Sequence, residues 1–217
     1  MPVLQRFFRT GKGEYAEGDR FIGVTVPQMR AICRACRGAS LEEMGRLLES
    51  PVHEDRLTAL LLLVDAFKMG DDERRREIYG FYLANTRRVN NWDLVDTSAP
   101  YIVGAWLRDR SKAPLTRLAK SALLWERRIA IVATQDFIRQ RQLDETFRIA
   151  DLLIEDRHDL IHKATGWMLR EAGKRDEAAL REYLERRHTR MPRTMLRYAI
   201  ERLAERERLA YLGVKSR

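Results

Sequence analysis

Trp92 and Asp96 stand four residues apart in the segment 91–96, Asn-Trp-Asp-Leu-Val-Asp. On a helix this spacing places both side chains on one face. Asp93 is expected to be an ordinary first-turn acid, whereas Asp96 caps nothing and stands among apolar residues. A carboxylate beside an aromatic ring attracts a cationic ligand, because the ring adds cation–π attraction to the charge of the acid. The pair is therefore a candidate for chemistry, the alternative being a core tryptophan with a solvated acid, and Trp167 is a second aromatic of this kind.

Arginine dominates the charge of the chain. Lys and Arg number 41, of which 34 are Arg, against 32 acids, which gives a net charge of +9. Residues 101–217 carry this whole surplus. The planar guanidinium donates two parallel hydrogen bonds and so suits phosphate better than an ammonium does. The charge predicts a polyanion bound mainly by the second half, unless the arginines simply form a solvated surface.

Two motifs suggest metal sites, and both lack ligands. Cys33-x-x-Cys36 has no second pair at zinc-binding spacing. His158 and His162 have the i, i+4 spacing of a shared metal site, but no third ligand is evident. Asp159 is also expected to cap a helix, which would leave His158 outside it. We therefore predict neither a metal nor a cofactor.

The elements that must position these residues are helices. Apolar residues recur at three- and four-residue spacing throughout, and no stretch alternates long enough to predict a strand. Ser40, Asn91 and Asp159 are candidate N-caps. The predicted helices are Val26–Cys36, Leu41–Glu49, Asp55–Lys68, Asp72–Ala84, Trp92–Leu107, Leu115–Ser121, Trp125–Arg139, Asp144–Glu155, Leu160–Ala172, Glu177–Arg187, Thr194–Leu203 and a last segment to Leu212.

Repetition predicts how these helices assemble. Similar helices begin near residues 53, 91, 124, 159 and 191, and steps of this size with two helices each are typical of an α-solenoid. We predict one all-α domain over 1–217, an α-α superhelix of HEAT-like repeats. Basic residues recur near the starts of the similar helices and are predicted to bind duplex phosphates. They are Arg56, Arg127, Arg128, Lys163 and Arg193.

Composition also bears on location. The longest apolar run, Ala59–Val64, is far shorter than a membrane span, which needs about 20 residues. Met1–Gly13 has no apolar core of an export signal, and two cysteines cannot form a disulfide framework. We expect a cytoplasmic protein that makes no membrane contact and is associated with the nucleoid when bound to DNA.

Four segments carry a family resemblance. They are Phe21-Ile22-Gly23-Val24-Thr25-Val26-Pro27, Asn91-Trp92-Asp93-Leu94-Val95-Asp96, Leu124-Trp125-Glu126-Arg127-Arg128-Ile129-Ala130 and His162-Lys163-Ala164-Thr165-Gly166-Trp167-Met168-Leu169-Arg170-Glu171. The chain resembles the HEAT-repeat DNA alkylation repair family, the AlkD-like alkylpurine DNA glycosylases. The resemblance implies removal of N3- and N7-alkylated purines from duplex DNA. It places the catalytic pair on Trp92 and Asp96, a second cleft tryptophan on Trp167, and a phosphate-holding arginine on Arg128, with Arg127 as the alternative.

Two other functions stay open at this stage. Better-known family members carry further N-terminal helices before the Phe21 segment, whereas only residues 1–20 precede it here. The first rival is therefore a non-catalytic HEAT-repeat protein that binds bent or branched DNA, and the second is a solenoid adaptor for acidic proteins. For the glycosylase, no lysine is placed near Trp92 and Asp96 as a Schiff-base nucleophile, so we predict a monofunctional enzyme. We also expect a monomer.

Overall fold

The computed structural model describes residues 7–213 in two compact units, Met1–Trp106 (unit 1) and Leu107–Arg217 (unit 2). Residues 1–6, the start of the Met1–Gly13 segment, and residues 214–217 lie outside the described range. All regular structure in the described range is helical, apart from one isolated parallel bridge between Arg20 and Val52. The all-α prediction is confirmed. None of the described helices is both long and apolar enough to cross a membrane.

Unit 1 is built around one helix. Its helices are α1 (Val26–Ala35), α2 (Leu41–Glu49), α3 (His53–Met69), α4 (Asp72–Ala84) and α5 (Trp92–Ala99), with a 3-10 turn at Thr86–Arg88. The chain continues from α5 through a π-helical turn, Pro100–Gly104, into the short α6 (Ala105–Leu107), where the two units divide. Helix α3 packs against α1, α2, α4 and α5, and its run Leu57–Val64 is buried throughout. An apolar surface on every side of a helix is what such a central position requires.

Unit 2 repeats this plan with a different central helix. Its helices are α7 (Ala113–Ala119), α8 (Leu124–Ala133), α9 (Gln135–Arg139), α10 (Asp144–Leu153), α11 (Asp159–Gly173), α12 (Glu177–Arg187), α13 (Arg193–Ala199) and α14 (Glu205–Tyr211). Helix α11 packs against α8, α9, α10, α12 and α13. In both units, helices begin within two residues of the five predicted repeat starts.

Caps explain several helix starts, and one predicted cap is wrong. The Ser40 hydroxyl accepts the Glu43 N–H (3.2 Å) in a capping box, and the Asn91 side chain accepts the Trp92 N–H (2.8 Å), as expected. At α11 the cap is His158 and not Asp159: its Nδ1 accepts the Leu160 N–H at 3.2 Å. Asp159 is the first helical residue, where its charge favours the positive helix end.

Two predicted long helices are interrupted for local reasons. The helix predicted over Trp92–Leu107 widens into a π turn at Pro100, because proline has no N–H to donate to the carbonyl one turn earlier, that of Asp96. Such turns occur often at functional sites. The helix predicted over Trp125–Arg139 breaks at Thr134, whose hydroxyl donates to the Ile131 carbonyl at 2.7 Å.

Candidate functional site

Asp96 lies in a cationic cavity of unit 1. The side chain is half-buried on α5 and faces a space of about 330 Å³ enclosed by residues of α1, α3 and the chain from α5 into the π turn. We call this space the Asp96 cavity. Its lining residues are Arg30, Cys33, Arg34, Arg37, Leu61, Val64, Asp65, Lys68, Asp96, Thr97 and Tyr101. Four basic and two acidic side chains give it a net positive charge.

The cavity cations come from helices that sequence reasoning did not single out. Arg30 and Arg34 lie one turn apart on α1, Arg37 follows just past its end, and Lys68 belongs to the last turn of α3. The Lys68 Nζ stands 4.9 Å from the centre of the Tyr101 ring, a cation–π contact. A signal existed in the sequence: arginines at i, i+4 and i+7 lie along one helix face. Lys68 lines the same cavity as Asp96, so a lysine that sequence reasoning did not consider lies at this site.

Trp92 is held by other aromatic rings. It lies on the same face of α5 as Asp96, one turn earlier, and stays half-buried. The Phe8 ring stacks on it with centroids 5.3 Å apart, and Phe7 meets it edge-on at 5.9 Å. Tyr15 hydrogen-bonds to its side chain, and burial raises the pKa of that tyrosine. One face of the indole is therefore occupied within the protein.

A buried network of charged groups fixes the start of α5. The His53 Nε2 lies 2.7 Å from Asp93 Oδ2, and its Nδ1 lies 3.1 Å from Asp19 Oδ2. Asp19 also accepts hydrogen bonds from Arg56 (2.6 Å) and from the Asn91 amide (3.2 Å). Asp93 is thus a partner of a buried histidine and not the ordinary first-turn acid that we expected.

Opposing effects set the protonation of this network. Burial alone would lower the pKa of His53, but its hydrogen bonds to Asp19 and Asp93 outweigh burial and raise that pKa to about 9. Burial would raise the pKa of Asp19, but the hydrogen bond from His53 and the charge of Arg56 outweigh it and lower that pKa. At neutral pH, His53 is therefore a cation between two carboxylates, with Phe21 stacked on its ring at 4.6 Å.

Three of the five predicted phosphate-binding cations are engaged inside the protein. Arg56 is 4% exposed, binds Asp19 and donates to the Ser50 carbonyl at 3.0 Å. Arg128 is 5% exposed and donates to the Leu160 carbonyl at 2.8 Å. Arg127 bonds to Asp156 at 2.6 Å and to two backbone carbonyls, and its side chain is 19% exposed. So little exposed surface argues against phosphate contact by Arg56 and Arg128.

The other two cations meet at a cavity of unit 2. Lys163 of α11 and Arg193 of α13 line a space of about 590 Å³, which we call the Lys163 cavity. Its remaining lining residues are Thr194, Arg197, Tyr198, Ile200, Glu201, Arg208 and Leu212. Lys163 forms an exposed pair with Asp159 at 2.6 Å, and Arg193 donates to the Leu212 carbonyl at 2.8 Å. Arg197 and Arg208 are two further cations that sequence reasoning missed.

Close packing of α11 against α13 positions this second cavity. A Cβ placed on Gly166 would lie 2.4 Å from the Met195 carbonyl oxygen and 2.5 Å from Tyr198 Cβ. The two helices can approach this closely only because residue 166 has no side chain. Trp167 follows on the half-buried side of α11, where its indole N–H donates to Glu171 at 3.2 Å.

The metal motifs have other roles in the structure. Cys33 is buried and its thiol donates to the Thr58 carbonyl (3.7 Å), while Cys36 is exposed. His158 caps α11, and the His162 ring bonds to the Asp156 carbonyl. Within residues 7–213 no group of three or more His, Cys, Asp or Glu side chains is arranged to hold a metal ion.

Comparison with known proteins gives a family and a fold. A family model described as DNA alkylation repair enzyme matches residues 2–203. Among solved structures, the chain is similar to one described as a predicted DNA alkylation repair enzyme from Enterococcus faecalis. The TM-score is 0.71 at 15% identity, and the alignment covers 94% of each chain. No curated protein matches the sequence.

Proposed function

The chain belongs to the family of DNA alkylation repair enzymes, and from this premise we propose that it hydrolyses the N-glycosidic bond of N3- and N7-alkylated purines in duplex DNA. The observation that carries the proposal is Asp96, a carboxylate that lies in a cationic cavity and one helical turn from Trp92. A polyanionic substrate requires the cations. A reaction that develops positive charge requires the carboxylate.

The chemistry needs few groups because the lesion is already activated. An N3- or N7-alkylpurine carries a formal positive charge, so it leaves as a neutral base without being protonated. Glycoside hydrolases need a second carboxyl group to protonate a poor leaving group, and here that group is unnecessary. One carboxylate is therefore enough.

Asp96 would act on the sugar. Positive charge develops on the deoxyribose as the base departs, and the ionised carboxylate stabilises it and positions the attacking water. Trp92 and Trp167 would pack on the sugar and backbone. The half-buried indole of Trp92 would use the surface that Phe8 leaves open.

The predicted cations take different roles in this proposal. Lys163 and Arg193, at the Lys163 cavity, would bind backbone phosphates, and Arg127 would contribute only if it released Asp156. Arg56 and Arg128 would act from inside: Arg56 completes the Asp19 network, and Arg128 fixes the start of α11 through the Leu160 carbonyl.

The decisive experiment is release of 7-methylguanine or 3-methyladenine from alkylated duplex by the purified protein. We expect release by the wild-type chain without added metal or cofactor, and an intact abasic strand as the product. Failure on every alkylated duplex, with DNA binding retained, would favour the binding-only function. Loss of both would favour the adaptor for acidic proteins.

The position of Lys68 bears on whether the enzyme only removes the base or also forms a Schiff base with the abasic sugar. Its amine lines the Asp96 cavity, so a Schiff base with an abasic sugar is chemically conceivable there. We propose that it does not form, because the ammonium is held over the Tyr101 ring. Borohydride should therefore trap no protein–DNA adduct, and a Lys68-dependent adduct would refute this part of the proposal. We also propose that the protein acts on DNA inside the cell, associated with the nucleoid, and that it acts as a monomer.

A further inference from the structure

Arg30 and Arg34 of α1, with Arg37 just past its end, differ from the arginines that we predicted to bind phosphate. Arg30, Arg34 and Arg37 are exposed and line the Asp96 cavity. Among the residues that the structure describes, no hydrogen bond or ion pair joins any of the three to another residue. Arg56 and Arg128, in contrast, are buried and bonded internally.

The positive charges at this cavity are not balanced by negative charges within the protein. Three guanidinium groups and the Lys68 ammonium surround one space, and their mutual repulsion is only partly offset by Asp65 and Asp96. A cleft lined with one sign of charge concentrates ions of the other sign. Guanidinium forks match the paired oxygens of a phosphodiester or a carboxylate better than they match a halide, and the proposed DNA substrate supplies the phosphodiester.

We infer that Arg30, Arg34 and Arg37, with Lys68, hold the backbone phosphates that flank the damaged nucleotide and so present its sugar to Asp96. This inference rests on the proposed function. A carboxylate that must approach a polyanion is repelled by it, and cations around the carboxylate remove that repulsion. The arginines therefore bind the strand and also reduce its repulsion by Asp96.

The test compares two double variants in duplex binding. Arg30→Gln/Arg34→Gln removes two cations of the cavity, whereas Arg46→Gln/Arg74→Gln removes two unit 1 arginines that pair with Glu42 and Glu77. The probe is a duplex with one tetrahydrofuran abasic analogue, titrated by fluorescence anisotropy at several salt concentrations. Each lost phosphate contact reduces the log–log salt slope by about 0.9, so the cavity variant should lose about 1.8 and the control variant nothing. Equal slopes in both variants would overturn the inference.

A second measurement locates the phosphates. One phosphate next to the analogue is replaced by a neutral methylphosphonate, and the replacement is moved along the strand. For wild type, affinity should fall at the flanking positions. In the cavity variant, the same flanking replacements should lower affinity little further, because contacts that share a partner are not additive. If the loss of affinity from each replacement added fully to the loss from the cavity variant, the Asp96 cavity would not bind those phosphates.

A third arm separates DNA from a free nucleotide. Adenosine monophosphate presents a nucleotide phosphate, as a monoester, without a duplex. We expect no saturable binding below millimolar concentration, and saturable binding that disappears in the cavity variant would instead assign the cavity to a small anion. The outcome is distinct from that of the proposed function: wild type that releases no alkylpurine refutes the glycosylase, while the salt slopes still decide the phosphate site.

Discussion

The Asp96 cavity of unit 1 and the Lys163 cavity of unit 2 are both rich in arginine, but different forces build them. Around the first, the buried ions His53, Asp19 and Arg56, together with the half-buried Asp93, fix the start of α5. Around the second, close packing at Gly166 fixes the helices. Their acids differ as well. Asp65 and Asp96 line the first, whereas the single acid of the second, Glu201, bonds to Arg170.

This difference separates the cavity suited to catalysis from the cavity suited only to DNA binding. A cavity that combines cations with carboxylates can bind a phosphate and also stabilise a developing cation. A cavity with cations and one engaged acid can only bind. We therefore expect changes in unit 1 to affect catalysis and pH dependence, and changes in unit 2 to affect DNA affinity and packing.

The largest effect should come from Asp96→Asn, which keeps the shape of the side chain and removes its charge. Base release should fall by roughly 10²–10³-fold, or about 3–4 kcal/mol, as when a preorganised electrostatic group is lost. DNA affinity should not fall, because no phosphate ligand is removed. Single-turnover release of methylated base measures the effect.

Asp65→Asn is the matched control, since it removes the same charge from the same cavity on α3. Its effect should be less than about tenfold. Asp93→Asn is unsuitable as a neutral control because Asp93 binds His53. Equal losses from Asp96→Asn and Asp65→Asn would show that only the charge of the cavity matters.

The second prediction concerns pH and unit 1. The pKa of His53 is raised from 6.5 to about 9, so its contribution to stability is complete below pH 6.5 and is lost as the pH rises through 9. At 1.36 kcal/mol per pKa unit, the free energy of unfolding should fall by up to about 3 kcal/mol over that range. Urea unfolding at pH 6 and at pH 9 measures it.

His53→Gln tests whether this residue is the cause. The variant should have lower stability, since Asp93 loses the imidazolium and Asp19 keeps Arg56 as its cationic partner, but its stability should change less between pH 6 and pH 9. The same pH dependence in wild type and variant would mean that other groups titrate.

Packing in unit 2 gives the third prediction. Gly166→Ala forces a methyl group against the backbone of α13 and should lower the free energy of unfolding by about 1–3 kcal/mol. Gly45→Ala in α2 is the control: its Cβ meets only Phe81 at 3.5 Å, and alanine favours a helix, so stability should stay equal or rise by up to about 1 kcal/mol. Thermal unfolding distinguishes the two, and equal melting temperatures would contradict the close-packing argument.

The Lys163 cavity itself should show a smaller effect. Arg193→Gln/Arg197→Gln should reduce the salt slope of DNA binding by up to about 1.8 without changing single-turnover base release at saturating protein. A slower chemical step in this variant would contradict the assignment of DNA binding, and not catalysis, to the Lys163 cavity.

The last prediction is that removal of metal ions has no effect. EDTA should leave base release and the melting temperature unchanged. Cys33, His158 and His162 form hydrogen bonds within the protein, and Cys36 is exposed to solvent. Stoichiometric zinc in metal analysis of the purified protein would refute this prediction.

The sequence by itself determined the local structure. Helix class, most helix bounds, the Ser40 and Asn91 caps and the i, i+4 placement of Trp92 and Asp96 all depend on residues within one or two turns of each other. Periodicity and capping act over that distance, so they can be read from the chain. The π turn at Pro100 also had a local cause, although its position inside a predicted helix was missed.

Only the tertiary structure decided which charges are free. The pairs that form are far apart in sequence. Arg56 and Asp19 are separated by 37 positions, His53 and Asp93 by 40, and Arg127 and Asp156 by 29. Arginines at similar positions of successive repeats therefore differ in burial and in bonding, while the α1 arginines meet Asp96 from more than 50 positions away. Charge is a property of each residue, but its desolvation and pairing depend on which distant segment packs against it.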